Sequence, residues 1–339
     1  MGLPIFKKRI GIDLGTAYTL VYVKGKGIVL NEPSVISVYK NSNRVVDVGR
    51  GAKKMIGRAP YYIDVIRPLR YGVISELSYA VLMLKEFLER ADVKPGFFSS
   101  LETIVCVPSA VSTVDKKAVL DLSYELGSRK AFLIAEPIAA AIGAGMEIFE
   151  AIGSFIMDIG GGTSESAIIS LGGLVVNEIT SVAGDRMNEE IIRFFKSEYK
   201  ILIGEQMAES IKINLGIVEN PTEKFFAKGR DLVTGLPKGI EISASEIRVA
   251  LLPLVDEIVR VLKETLVKAN PEILSDISER GLVLSGGGSL IKGLDTYIRD
   301  KLEIPVIFAP DPLFSVINGI ATVFKDLSKY LSVLTQMES

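Results

Sequence analysis

Two stretches decide how this chain is read: Ile10-Gly11-Ile12-Asp13-Leu14-Gly15-Thr16 and Ile156-Met157-Asp158-Ile159-Gly160-Gly161-Gly162-Thr163. Each is a short apolar run, rich in β-branched residues, that meets an Asp and then turns on Gly and Thr. The two aspartates lie 145 residues apart in a chain of 339 residues. That length suits about two domains, and one device used twice points to two halves built alike. A glycine turn after a strand lets backbone N–H groups approach a phosphate closely, because no Cβ intervenes. Thr16 and Thr163 add hydroxyl donors. An aspartate is repelled by phosphate but holds Mg2+ through water, and the metal neutralises the phosphates. Asp13 and Asp158 therefore read as magnesium-side carboxylates for a triphosphate. A third turn, Ser285-Gly286-Gly287-Gly288-Ser289, follows the run Leu282-Val283-Leu284 and suits close approach of a nucleoside or phosphate.

Outward from these turns, apolar and β-branched runs predict strands at 9–13, 20–23, 35–38, 104–107 and 132–134 in the first half. Helices are expected at 78–91 and 114–126, the latter capped by Ser112 or Thr113 and stopped by Gly127, with another opening at Glu136-Pro137. The second half repeats the mixture. Strands are expected at 154–158, 166–170, 174–180, 282–284 and 306–307. Helices are expected at 188–200, 205–215, 245–268 and 290–302, with a closing helix near Pro312. Pro253 should kink the helix at 245–268 or mark its first turns. Strands and helices mixed in this way give α/β layers.

Composition excludes several chemistries. Lys plus Arg is 39 and Asp plus Glu is 41, a net charge of −2, which argues against a nucleic-acid binder that works by bulk charge. One Cys and no His exclude an internal disulfide, a Cys-rich zinc site, a Ser-His-Asp triad and an HExxH protease. Any general base is a carboxylate, a Lys, a Tyr or Cys106. The glycine turns match neither GxxxxGK[ST] nor GxGxxG, so a Walker NTPase and a dinucleotide fold are disfavoured. The basic run Lys7-Lys8-Arg9 follows the apolar residues Leu3, Ile5 and Phe6, the reverse of a signal peptide's order. No uninterrupted apolar run reaches the ~18 residues of a spanning helix. The chain reads as cytoplasmic and not membrane-spanning.

The three turns together resemble the actin–Hsp70–sugar kinase superfamily: phosphate turn one at Asp13 to Thr16, phosphate turn two at Asp158 to Thr163, and an adenosine turn at Gly286 to Gly288. Within it the chain is similar to the MreB family of bacterial actins. Asn31-Glu32-Pro33-Ser34-Val35-Ile36, Ile66-Arg67-Pro68-Leu69-Arg70, Ile134-Ala135-Glu136-Pro137, Val182-Ala183-Gly184-Asp185 and Leu284-Ser285-Gly286-Gly287-Gly288-Ser289-Leu290 carry that likeness in the family's order. The resemblance implies an actin-like ATPase fold, two duplicated α/β domains around a nucleotide cleft. It divides the chain into subdomain IA (1–32, 66–145, 315–339), IB (33–65), IIA (146–181, 245–314) and IIB (182–244).

The resemblance also implies ATP and Mg2+. Nucleotide contacts fall on Gly15, Thr16, Ala17, Tyr18, Gly160, Gly161, Gly162, Thr163, Gly286, Gly287, Gly288 and Leu290. Asp13 and Asp158 hold the metal through water. Glu136 activates the water that attacks the γ-phosphate, with Thr163 as its partner. Glu209 and Lys212, three residues apart on one helix face, line the ribose. Tyr18 departs from the Asn usual in the family, and a phenol cannot imitate an amide. Phe97-Phe98, in the loop Lys94-Pro95-Gly96-Phe97-Phe98-Ser99-Ser100, correspond to apolar residues that dip into the membrane. The family assembles as a homopolymer of paired antiparallel protofilaments on the inner membrane face, where it serves cell shape, wall synthesis or shape-linked motility. The alternative is a metabolic kinase or phosphohydrolase of the same superfamily, though no catalytic Asp aimed at a hydroxyl is evident. An Hsp70-type chaperone is disfavoured because little chain remains beyond the ATPase core.

Overall fold

The structure, a computed structural model, describes residues 6–93, 99–219 and 222–336. Phe97 and Phe98, like Leu3 and Ile5, lie outside the described residues. The chain forms two compact units: unit 1 comprises 1–151, 170–174 and 314–339, and unit 2 comprises 152–169 and 175–313.

Unit 1 opens with β1 (Phe6–Leu14), β2 (Tyr18–Val23) and β3 (Gly27–Pro33), an antiparallel meander. A smaller sheet follows from β4 (Ile36–Tyr39), β5 (Val45–Val48) and β6 (Ile63–Ile66), with α1 (Arg50–Met55) between the last two. β7 (Leu69–Arg70) and β8 (Val73–Ile74) form a two-stranded hairpin. Then come α2 (Leu77–Arg90), β9 (Ser99–Val107), α3 (Thr113–Glu125), β10 (Ser128–Ala135) and α4 (Glu136–Gly143). Ser112 is the cap of α3: its hydroxyl accepts the Asp115 N–H at 3.1 Å.

Unit 2 contains β11 (Ser154–Ile159), β12 (Ser164–Ser170), β13 (Gly173–Thr180), α5 (Gly184–Glu198), β14 (Ile201–Leu202) and α6 (Glu205–Leu215). It continues with β15 (Lys224–Asp231), β16 (Pro237–Ser243), α7 (Ala244–Val267), α8 (Pro271–Arg280), β17 (Leu282–Ser285), α9 (Leu294–Leu302) and β18 (Val306–Phe308). The tip of the β12–β13 connection groups with unit 1, and α10 (Ser315–Lys325) returns the chain to it.

The repeat seen in the sequence is a repeat of topology. The five-stranded sheet of unit 1 runs β10-β9-β1-β2-β3, and that of β11 runs β18-β17-β11-β12-β13. In each, the strand that carries the Asp sits at the centre, antiparallel to the next strand and parallel to a late one. Each sheet belongs to its own core. Ile10, Ile12, Val21, Leu84 and Phe87 are buried in one, and Phe155, Met157, Phe195, Leu251 and Leu284 in the other. Burial of such side chains stabilises by roughly 1.5–3 kcal/mol each.

In unit 1, α4 and α10 pack backbone to backbone. A Cβ at Gly143 would overlap the Ser315 carbonyl, and one at Gly319 would overlap that of Ala139. Two glycines therefore set the close crossing that holds the helix opening at Glu136.

Three expectations need correction, and one helix was not foreseen. Pro253 does not mark the first turns of α7 but lies in its interior. The carbonyl it leaves without an N–H partner is that of Val249, a residue 67% exposed, so water is at hand. The helix expected at 290–302 is a 3-10 turn at Gly287–Leu290 and then α9, because Gly293 adopts φ 83° between them. α5 begins at Gly184, four residues before the expected 188. α8 was not expected at all.

Candidate nucleotide-binding site

Turn one lies between β1 and β2 in unit 1. Asp13 is half-buried at the end of β1, opposite Leu20. The turn is braced from a neighbouring strand end. The Ser34 hydroxyl donates to Gly15 O at 2.6 Å, and Ser34 N–H donates to Ala17 O at 3.0 Å. The Thr19 hydroxyl, 2.9 Å from Ser34 Oγ, therefore donates to it. Thr16 is buried, and its Oγ1 accepts the Gly72 N–H at 2.9 Å from the β7–β8 hairpin. A hydroxyl used as acceptor keeps its own O–H to donate, which suits a phosphate oxygen. Glu32, two residues before Ser34, receives the backbone N–H and the guanidinium of Arg50 at the start of α1. Sequence reasoning missed Ser34 and Gly72; the sole signal was the Asn-Glu-Pro-Ser break in the strand pattern. Tyr18 is 37% exposed and turns its ring beneath Lys53 Nζ, 5.4 Å from the ring centre.

Glu136 is the first residue of α4, with Pro137 in the first turn. A carboxylate is favoured there by the helix dipole, and the ring of Pro137 fixes the entry. Cys106, near the end of β9, is buried. Its Sγ donates to Asp13 Oδ1 at 3.2 Å. Burial, with Asp13 and then Glu136 as electrostatic neighbours, holds the thiol well above its ordinary pKa, so it stays protonated.

Turn two lies between β11 and β12 in unit 2. Gly160 N–H donates to Thr163 O at 2.9 Å and closes the turn. The first N–H groups of α5 bind it from behind: Gly184 N–H reaches Gly160 O at 3.1 Å and Asp185 N–H reaches Gly161 O at 2.8 Å. Lys212, buried on α6, donates its ammonium to Gly184 O at 2.8 Å. Glu209, one turn earlier on the same helix, is half-buried.

Asp158, at the end of β11, is 7% exposed. Its Oδ1 has no hydrogen-bond partner among the described residues, and neither has the Oγ of Ser285, its neighbour across the parallel pair with β17. Burial raises the Asp158 carboxyl to about 6. An orphaned buried carboxylate oxygen fits a hydrated cation.

Turn three follows β17 and packs on β11. Gly286 adopts φ 80°, and a Cβ there would overlap the Ile159 carbonyl. Gly286 N–H donates to Pro312 O at 2.9 Å, and the Ser289 hydroxyl donates to Gly286 O at 2.7 Å. Leu290 is 46% exposed at the end of the 3-10 turn. Within unit 2 the structure thus brings Asp158, turn two and turn three together around the end of β11. Within unit 1 it brings Asp13 and Cys106 together, with Glu136 at the end of the next strand.

The architecture agrees with that of known proteins. The family model described as MreB/Mbl protein matches residues 7–332. The cell shape-determining protein Mbl of Bacillus subtilis is 42% identical over 327 residues, 96% of this chain and 98% of that protein. The cell shape-determining protein MreB of Escherichia coli is 42% identical over 321 residues, 93% of this chain and 92% of that protein. The crystal structure of MreB5 of Spiroplasma citri bound to AMPPNP superimposes with a TM-score of 0.92 at 35% identity, covering 97% of this chain and 99% of that one. The same protein bound to ADP gives a TM-score of 0.90. With its duplicated sheets, its three glycine turns and these likenesses over nearly its whole length, the chain belongs to the MreB/Mbl family of actin-like proteins.

Proposed function

We propose that this chain binds ATP with Mg2+ at its glycine turns, hydrolyses it, and polymerises with copies of itself on the inner face of the cell membrane to direct cell shape. The observation that carries the reading is Asp158. A carboxylate 7% exposed, with an oxygen lacking any described partner, ends the strand that runs into turn two. An apolar core gives no reason to keep such a group; a hydrated cation beside phosphates does. MreB5 of Spiroplasma citri, crystallised with ADP and with AMPPNP, supports the nucleotide.

Roles follow from placement. Backbone N–H groups of turns one and two, with the Thr16 hydroxyl, bind phosphate oxygens. Asp13 and Asp158 hold the waters of Mg2+, which supplies neutralisation of phosphate charge when bound. Glu136 orients the attacking water and takes its proton, and Thr163 completes that water's contacts. Glu209 lines the ribose, and Lys212 backs turn two through Gly184. Gly286, Gly287, Gly288 and Leu290 receive the adenosine. The four subdomains are proposed with the boundaries that the resemblance implies. Other cytoskeletal or wall-synthesis proteins are candidate further partners, and Phe97 and Phe98 supply the membrane contact. Among the described residues no helix is long and apolar enough to cross a membrane.

The test combines titration of ADP and AMPPNP with and without Mg2+, phosphate release from ATP, and sedimentation of polymer. Tight magnesium-dependent binding, slow release and ATP-dependent pelleting are expected. Absence of nucleotide binding sinks the reading. Phosphoryl transfer to small alcohols without pelleting would move the chain to the kinase branch.

A further inference from the structure

The chain's one cysteine stands on β9, between the strands that carry two candidate site residues. In the unit 1 sheet, β9 lies between β1, which carries Asp13, and β10, which leads into Glu136. The parallel registers pair Ile12 with Val105 on one side and Ile134 with Cys106 on the other. Strand alternation then puts Asp13 and Cys106 on one sheet face, one step beyond Gly11 and Ile104. Arg9 and Glu102, two residues further back on that face, are ion-paired at 2.9 Å.

We propose that Cys106 is a positioning residue, whose thiol donates to Asp13 Oδ1 and fixes the rotamer of the carboxylate that meets the magnesium shell. The inference rests on the magnesium–nucleotide reading above. Three observations carry it. The Sγ–Oδ1 distance of 3.2 Å is that of a sulfur hydrogen bond. Cys106 is 2% exposed, so water does not replace its donor. Cys106 sits on β9, between the strand that carries Asp13 and the strand that leads into Glu136, and both carboxylates are electrostatic neighbours of its thiol.

A neutral donor is what this position requires. A Lys or Arg would pair with Asp13 and compete with the cation for its charge. An Asp or Glu would repel it. An aliphatic side chain would leave Asp13 Oδ1 without its contact from the neighbouring strand. The thiol orients the carboxylate while leaving its full negative charge to the metal.

The experiment measures ADP binding by calorimetry in EDTA and across a magnesium series, for wild type, Cys106→Ser, Cys106→Ala and Cys106→Val. Circular dichroism melts report which variants fold, and the two aliphatic replacements differ in volume so that at least one fits. Loss of the donor should raise the magnesium concentration for half-maximal binding roughly three- to tenfold, the size of one modest hydrogen bond. ADP affinity in EDTA should stay within about twofold, and serine, which keeps a donor, should track wild type. An aliphatic variant with unchanged magnesium dependence overturns the proposal. So does a serine variant that falls with the aliphatic ones, since volume would then matter and not the donor. A wild type indifferent to magnesium overturns the metal site itself and this inference with it, an outcome distinct from the other two.

Discussion

Asp158 and Ser285 are neighbours across the parallel ends of β11 and β17, both buried, and neither Asp158 Oδ1 nor Ser285 Oγ finds a hydrogen-bond partner among the described residues. The pair is a local sacrifice of stability, and its sign is fixed by the carboxyl's pKa. The folded-state value of about 6 lies above the ordinary 3.8. Between those values the folded protein holds a proton that the unfolded chain has lost. This group's contribution is thus fully present below about 3.8 and disappears as pH rises through about 6. At pH 7.5 the ionised, buried carboxylate costs about 3 kcal/mol. Asp158→Asn should therefore raise the melting temperature of the nucleotide-free protein at pH 7.5 by a few degrees, with a smaller gain at pH 5. The same variant should lose the stabilisation that Mg-ADP gives wild type. Differential scanning fluorimetry at the two pH values decides it. A variant that melts earlier at pH 7.5 contradicts the argument.

Glu136 is held by the entry to α4 and by the close α4–α10 crossing. Removing a water-orienting carboxylate should slow hydrolysis by roughly 10²-fold or more. Glu136→Ala should do so with AMPPNP affinity nearly unchanged. Phosphate release and a binding titration on the same preparation separate the two effects. Undiminished turnover would remove Glu136 from the chemistry.

The crossing itself is testable through Gly319, where an added methyl meets the Ala139 backbone. Backbone cannot swing aside as a side chain can, so Gly319→Ala should destabilise by roughly 1–3 kcal/mol. Gly204→Ala, with nothing within 4 Å of its Cβ position, serves as the comparison and should cost no more than about 1 kcal/mol in urea, for the loss of the α6 N-cap glycine. Equal midpoints for the two variants would show that the helices yield.

The membrane expectation rests on Phe97 and Phe98. One monomer would bind lipid weakly, since two large apolar side chains supply only a few kcal/mol at roughly 1.5–3 kcal/mol each. A filament repeats the pair at every subunit and gains avidity. Phe97→Ser/Phe98→Ser should fold and pellet with ATP but lose co-sedimentation with anionic liposomes. Full retention on liposomes would place the anchor elsewhere.

Much of this was legible because the turns are written in local sequence. Strand, Asp and Gly-Thr follow one another at Asp13 and Asp158, and a loop that must approach a phosphate leaves glycines wherever it occurs. The braces were not legible. Ser34 reaches Gly15 across 19 residues and Gly72 reaches Thr16 across 56. Hydrogen bonds between distant loops leave no periodic trace. α8 escaped because Ile277 is its one buried residue, too little apolar signal for a helical stripe. Cys106 was named among the possible general bases, on a short buried strand, and its bond to Asp13 shows only once β1 and β9 are in register.

The glycine-to-backbone crossing of α4 and α10 also governs the order in which this protein is made. α4 is complete by residue 143 and α10 begins at 315. At roughly 5–20 residues per second on a ribosome, the second helix emerges roughly ten to thirty-five seconds after the first. Through that interval, in which unit 2 (152–169 and 175–313) is made, the apolar flank of α4 that receives α10 has no cover. Unit 1 is thus the half that waits for α10, and a released chain truncated at residue 313 should be cut by protease in unit 1 and spared in unit 2.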